Sequence, residues 1–376
     1  MHSMGILLAL AGFVIVIGPL IFLHELGHYF AGRAFGVKAE TFSIGMGREV
    51  AGWTDRRGTR WKVSALPIGG YVKFAGDMGP ASMPDPEWLR LPPSEKARTF
   101  QAKPLWQRFI IVAAGPLTNF AIAIAIFAAF FAVWGVLRTP PVVSAVLPNS
   151  AAARAGVLPG DRIVSLSGRS MRSFEDIVDF MRIRPAERID IQIERAGLPM
   201  ALVATTGSLE ERDPLGQPMK RGLLGVVPGN PAIVHVGPIG VLGEAVRHTR
   251  DAVRMMVDVL GQIIGGRRSA QELGGPIKIA QISGETVSLG PLRVIEFMAL
   301  ISINLGFMNL LPIPMLDGGH LFFYLLEAVR RRPLPGYAQE WAFRSGLALL
   351  LGFMLFVTIN DLGSVGLWRK LASLIG

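Results

Sequence analysis

Four long apolar stretches set the pattern of this chain, and polar segments of unequal length separate them. The first runs from about Met4 to Phe30, with no charged side chain between Ser3 and Leu23. The second, Phe109–Leu137, and the third, Phe297–Leu316, are uncharged throughout, and the fourth, Ser345–Asn360, is the shortest and can be extended past Asp361 to Trp368. A bilayer core takes roughly 20 apolar residues per helix, so the pattern predicts four transmembrane helices. The N-terminal stretch lacks a basic leader and runs on without a small-residue cleavage site, so it reads as a retained helix and not a signal peptide.

The polar segments carry shorter periodicities. Residues 40–76 combine a turn-rich Trp53–Thr59 with strand-like runs on either side, which predicts a β-hairpin or small sheet. Two placements fit it equally, a membrane-associated hairpin and an ordinary cytoplasmic one. Residues 77–103, with several prolines and charges, read as a flexible surface linker. Residues 140–206 read as one small α+β domain: strand candidates at Val142–Leu147, Ile163–Leu166 and Arg188–Arg195, and a helix opened by the cap signature at Ser173. Residues 208–235 are Pro- and Gly-rich and read as a connection. Residues 239–264 place Val253, Met256, Val257, Leu260 and Ile264 on one side of a helix, suited either to the membrane interface or to packing on the small domain.

The resulting fold class is a polytopic α-helical membrane protein with a membrane-associated hairpin and one small α+β domain. Its expected segments are 1–38 (helix one), 39–107 (hairpin and linker), 108–138 (helix two), 139–207 (small domain), 208–292 (linker and amphipathic helix), 293–320 (helix three) and 321–376 (loop, helix four and C-terminus).

Composition agrees with this class. Hydrophobic residues make up 51% and charged ones 18%, with a mean hydropathy of +0.42, the balance of an integral membrane protein with a soluble part. There is no cysteine, which excludes disulfides and thiolate chemistry. The net charge of +10 comes from basic residues spread through loops beside the apolar spans, where they orient helices and meet anionic lipid. No basic run interleaved with aromatics points to nucleic acid. Arg33, Lys38, Lys103, Arg108 and Arg330–Arg332 mark one side as cytoplasmic, which puts the small domain outside.

Candidate chemistry concentrates at His24-Glu-Leu-Gly-His28, at the end of the first span. On a helix this pattern puts two imidazoles one turn apart on one face, able to hold zinc, with the glutamate between them as a general base. Ionisable groups at membrane depth are costly, so their default reading is functional. A hydrolytic zinc site takes three protein ligands, and the best third candidate is Asp317 at the end of the third span, with His320 as its rival. His235 and His248 stand alone in extramembrane segments and read as surface or structural residues.

Four motifs together carry a more specific resemblance: His24–His28, Pro67-Ile-Gly-Gly-Tyr-Val-Lys73, Gly115-Pro-Leu-Thr-Asn119, and Asn309 through Asp317-Gly-Gly319. In order and spacing the chain resembles the site-2 protease family of intramembrane zinc metalloproteases, in the bacterial branch that includes the regulator-of-sigma-E protease. The resemblance implies one zinc ion bound by His24, His28 and Asp317, with Glu25 catalytic and Asn309 holding substrate. It also implies that the hairpin, through Gly69, Gly70 and Tyr71, pairs with substrate, while Gly115, Pro116 and Asn119 pack and cap helix two beside the site. The implied setting is a bacterial inner membrane, with the site toward the cytoplasm and the small domain in the periplasm. Implied substrates are pre-trimmed single-span proteins, such as an anti-sigma factor or a signal-peptide remnant.

The small domain resembles a PDZ module, with Gly156–Asp161 near its peptide-groove loop. Many members of the branch carry two modules, and here there is room for one. Peptide binding and a rigid plug or size filter remain equal readings of it. The alternatives to the protease are a metal-binding membrane scaffold or transporter without catalysis, and an anchored protease acting on soluble peptides. If Glu25 is the base, Glu25→Gln abolishes cleavage and leaves zinc bound, which metal analysis beside a cleavage assay checks; retained proteolysis would contradict the mechanism.

Overall fold

The computed structural model describes residues 2–77, 91–212, 218–266, 269 and 274–364. The chain separates into two compact units, residues 1–127 with 273–376, and residues 128–272. The first unit opens with α1 (His2–Ala34), the hairpin β1 (Ala39–Thr54) and β2 (Arg60–Phe74), the short α2 (Pro93–Lys96) and α3 (Leu105–Trp134), within which the division falls. The second holds β3 (Val136–Arg138), β4 (Val143–Val146), α4 (Ala151–Ala155), β5 (Arg162–Leu166), β6 (Arg169–Ser170), α5 (Phe174–Arg182), β7 (Arg188–Arg195) and β8 (Leu198–Thr205). It continues through β9 (Gly207–Arg212), β10 (Pro218–Leu223), β11 (Val226–Pro228), β12 (Ala232–Val234) and α6 (Pro238–Ile264). The chain then returns to the first unit as α7 (Pro276–Ser288), α8 (Pro291–Leu310), α9 (Asp317–Arg330) and α10 (Gly336–Ser364).

Among the described residues four helical stretches are long and apolar enough to cross a membrane: Leu7–Ala34, Leu105–Trp134, Pro291–Leu310 and Gln339–Leu362. Trp368 lies outside the described residues. The third span differs from the expectation of one helix carrying the aspartate at its end. It stops at Leu310, and Asp317 opens a separate helix. Pro312 and Pro314 cause the break. Leu311, just before a proline, adopts an extended backbone (φ −63°, ψ 140°), as the clash with the proline ring requires.

Small residues bring the helices of the first unit close. Gly12 of α1 lies against the Ser283–Gly284 backbone of α7, and Gly27 lies against the Ala114 carbonyl and Thr118 hydroxyl of α3. Ser302 of α8 donates a 2.8 Å hydrogen bond to the Asn119 carbonyl of α3. Asp361 of α10 accepts from the Gly275 and Lys278 amides at the start of α7, giving otherwise orphaned helix donors a partner.

The hairpin folds on itself. Trp61 is partnered by Trp53 on one side and by Phe42 on the other, and its ring stacks on both, at 6.0 and 4.4 Å. Residues 70–74 partner residues 39–44. Met46, Val50, Trp53 and Leu66 stand exposed on its surface. The linker expected at 77–103 is different where it is described: Phe100 is fully buried and stacks on Phe74 at 5.7 Å, and the Phe100 amide bonds the Ala75 carbonyl. An aromatic among prolines and charges found a core that the local pattern did not show.

In the second unit the sheet order is β6-β5-β7-β8. Along β7, Ile189, Ile191 and Ile193 are buried while their neighbours are not, the period of a half-buried strand. Ser173 caps α5 in a reciprocal capping box with Asp176. The expected connection at 208–235 holds strands instead: β9 pairs with β10, β11 with β4, and β12 with β3. These strands are short and Pro/Gly-interrupted, and β11 and β12 are defined by pairing with distant partners. The α6 helix turns Glu244, Asp251 and Asp258, spaced one heptad apart, toward Arg138, Arg169 and Arg184 of the same unit. Leu242, Val246, Val257 and Ile264 on its far side are exposed.

Asp161 is almost fully buried and receives two bonds from the Arg195 guanidinium, at 2.7 and 2.8 Å, and one from the Leu158 amide. The Arg195 bonds hold the Asp161 carboxyl below the usual aspartate range. A depressed acid stabilises the fold above its unfolded value, near ~3.9, and loses that contribution as pH falls through the lower folded value. Asp161→Asn should therefore lower the melting temperature of this unit at pH 7, and the gap to wild type should close as the pH drops below that range, read by calorimetry of the full chain.

Candidate metal centre

α1 runs unbroken through His24 and His28, so the two rings project from one face, and each is about nine-tenths buried. Their Nε2 atoms lie 3.2 Å apart. The proline-broken segment after α8 delivers Asp317 at the first position of α9, with Oδ2 at 3.2 Å from His24 Nε2 and 3.5 Å from His28 Nε2. Asp317 Oδ2 has no hydrogen-bond partner. These three ligand atoms are the potential metal-binding group found among the described residues. His320 is not in it. Its ring packs against Phe343 and Tyr324 instead, at 5.0 and 6.5 Å.

Zinc with ligands at about 2.0–2.1 Å in a tetrahedron requires ligand atoms roughly 3.3–3.4 Å apart. The observed edges of 3.2, 3.2 and 3.5 Å match that triangle. The donor set of two neutral imidazoles and one carboxylate also suits zinc. Without a cation the same triangle crowds unsatisfied lone pairs together in an apolar surrounding, an expensive arrangement.

α3 supplies what surrounds the imidazoles. Gly115 lies directly against them: a Cβ added there would meet His28 Nε2 and His24 Cε1 closer than side chains pack. Pro116 removes the amide that would bond the Val112 carbonyl. The neighbouring Ile111 carbonyl accepts from His28 Nδ1 at 2.9 Å. That bond places the proton on Nδ1 and leaves Nε2 free as a ligand atom. Asn119, fully buried, reaches His24 Nδ1 at 3.1 Å.

Glu25 sits on the same helix, beside the triangle. The hairpin passes over it: Gly70 lies against Ile21 and the Glu25 side chain. The cavity here encloses about 640 Å³ and is lined by His24, Glu25, His28 and Asp317 together with Gly69, Gly70, Tyr71 and Asn309. It thus gathers all four residues expected to meet substrate. The Ile111 carbonyl and the contact of Asn119 with His24 are the participants that sequence reasoning did not assign. An asparagine inside an uncharged span, three and four residues after a Gly-Pro pair, was the available signal for the last of them.

Residues 12–353 match the family model for peptidase family M50. The chain belongs to that family, the site-2 proteases. Atu1380 of Agrobacterium fabrum, named as a candidate zinc metalloprotease, is 44% identical over 358 residues, covering 94% of this chain and 95% of that protein. The metalloprotease MmpA of Caulobacter vibrioides is 37% identical over 395 residues, covering 98% and 99%. Among solved structures, the PDZ domain of an SdrC-like protein from Listeria monocytogenes aligns with 23% of this chain and 84% of its own, at 17% identity and a TM-score of 0.19.

Gly115→Ala tests the geometry. Alanine favours helix over glycine by about 0.8–1 kcal/mol, so α3 itself should gain, while the added methyl displaces the imidazoles. The expected result is a folded protein that has lost most of its bound zinc, measured by metal analysis after size-exclusion chromatography.

Proposed function

We propose that this protein is an intramembrane zinc endopeptidase that cleaves peptide bonds within transmembrane segments. The observation that carries the reading is the ligand triangle with Glu25 at its edge, built between helices apolar enough to span a bilayer. His24, His28 and Asp317 hold one zinc ion, which supplies Lewis-acid charge and makes water more acidic. Glu25 takes a proton from the attacking water as it adds to the peptide carbonyl. It then returns that proton to the leaving nitrogen, so the products are a carboxylic acid and an amine.

The remaining residues position substrate. A transmembrane helix hides its own peptide bonds, and unwinding it in lipid is costly unless other groups satisfy the freed backbone. Residues Gly69–Tyr71 lie where a strand edge can pair with the unwound segment by β-augmentation, and Asn309 offers a side-chain amide within the same cavity. The basic loops favour a bacterial inner membrane, with the site toward the cytoplasm and the second unit in the periplasm. Single-span proteins already trimmed outside the membrane, such as anti-sigma factors or signal-peptide remnants, fit a site enclosed by helices and reached by an unwound strand.

Purified protein, offered a panel of single-span substrates in detergent, is expected to make one cut inside the apolar segment. A zinc chelator should abolish that cut and added zinc restore it. Cleavage that persists in chelator, or that falls only on soluble peptides, would overturn the proposal.

A further inference from the structure

We infer that Asn119 is a positioning residue for the metal centre: its side-chain oxygen accepts the Nδ1 proton of His24 and so fixes that ring in its ligating tautomer. The inference rests on the zinc reading above and deepens it.

His24 Nε2 points into the triangle, 3.2 Å from both Asp317 Oδ2 and His28 Nε2. A neutral imidazole that offers Nε2 as a ligand carries its proton on Nδ1 and needs an acceptor there. His28 has one in the Ile111 carbonyl. The group facing His24 Nδ1 is the Asn119 carboxamide, with its Nδ2 at 3.1 Å. Its Oδ1 is buried and has no partner. Two N–H groups cannot face each other. A half-turn of the carboxamide about its last torsion exchanges the two atoms, which are told apart by hydrogen bonding alone. It leaves the ring proton with an acceptor and Oδ1 with a donor.

The height of Asn119 is itself set from another helix. Ser302 of α8 bonds its backbone carbonyl at 2.8 Å, and Gly306 lets α8 close on the Pro116 carbonyl one turn away. Gly115, Pro116 and Asn119 then form one device on α3. The glycine makes room for both rings, the proline removes an amide from the turn beside the carbonyl that orients His28, and the asparagine orients His24.

The test is zinc affinity of the full chain in detergent, measured by competition with a chromophoric chelator for wild type, Asn119→Leu and Asn119→Asp. Leucine matches asparagine in size and suits an apolar surrounding but accepts no hydrogen bond. Aspartate keeps the acceptor and adds charge. The expected order is Asp equal to or tighter than wild type, with Leu weaker by about 10–100-fold, the usual cost of losing an outer-shell partner. A purely structural role reverses that order. Leu within about twofold of wild type, or Asp weaker than wild type, overturns the inference. If Leu does not fold, the Asp affinity decides alone by the same criterion. A wild type that competes for no zinc defeats the protease reading itself, which separates the two failures.

Discussion

Three ligand atoms packed within 3.5 Å of one another, between apolar helices, need a shared positive charge to satisfy them. The rest of the first unit follows from that constraint. α1 must run straight through both histidines to keep their rings on one face. α3 must come near enough to orient them, which Gly27 and Gly115 allow. The chain must stop being a helix after Leu310 so that a carboxylate from a distant position can enter the same space.

Under the proposed function, the hairpin answers a second requirement of the same setting. Hydrolysis needs a backbone that has left its own hydrogen bonds, and an apolar surrounding offers no water to replace them. A ribbon folded around Trp61 lays Gly70 against the Glu25 side chain. Backbone thus meets Glu25 without a charged residue being brought in.

Much of this is legible in the chain. Uncharged runs mark the four spans, and helical spacing alone puts His24 and His28 on one face. The reciprocal cap at Ser173 and the alternating isoleucines of β7 are equally local signals. What fails to show is non-local. The strands β11 and β12 are defined by partners up to 98 residues away, as in Val136↔Val234, and the prolines and glycines around them imitate a linker. Phe100 resembles part of a surface segment because its core lies on the hairpin. The end of α8 falls earlier than expected because apolar composition continues to Leu316 while two prolines end the helix. The motif around Asn119 places that residue near the site, but its partner is set by the rotation of α3 against α1, which no spacing encodes.

The break between α8 and α9 divides the candidate ligand set into unlike halves. Two donors ride on one continuous rod, and the third stands on a separate piece set off by prolines. With zinc held there as proposed, any displacement of α9 from α1 would draw the Asp317 oxygen away from both imidazoles at once.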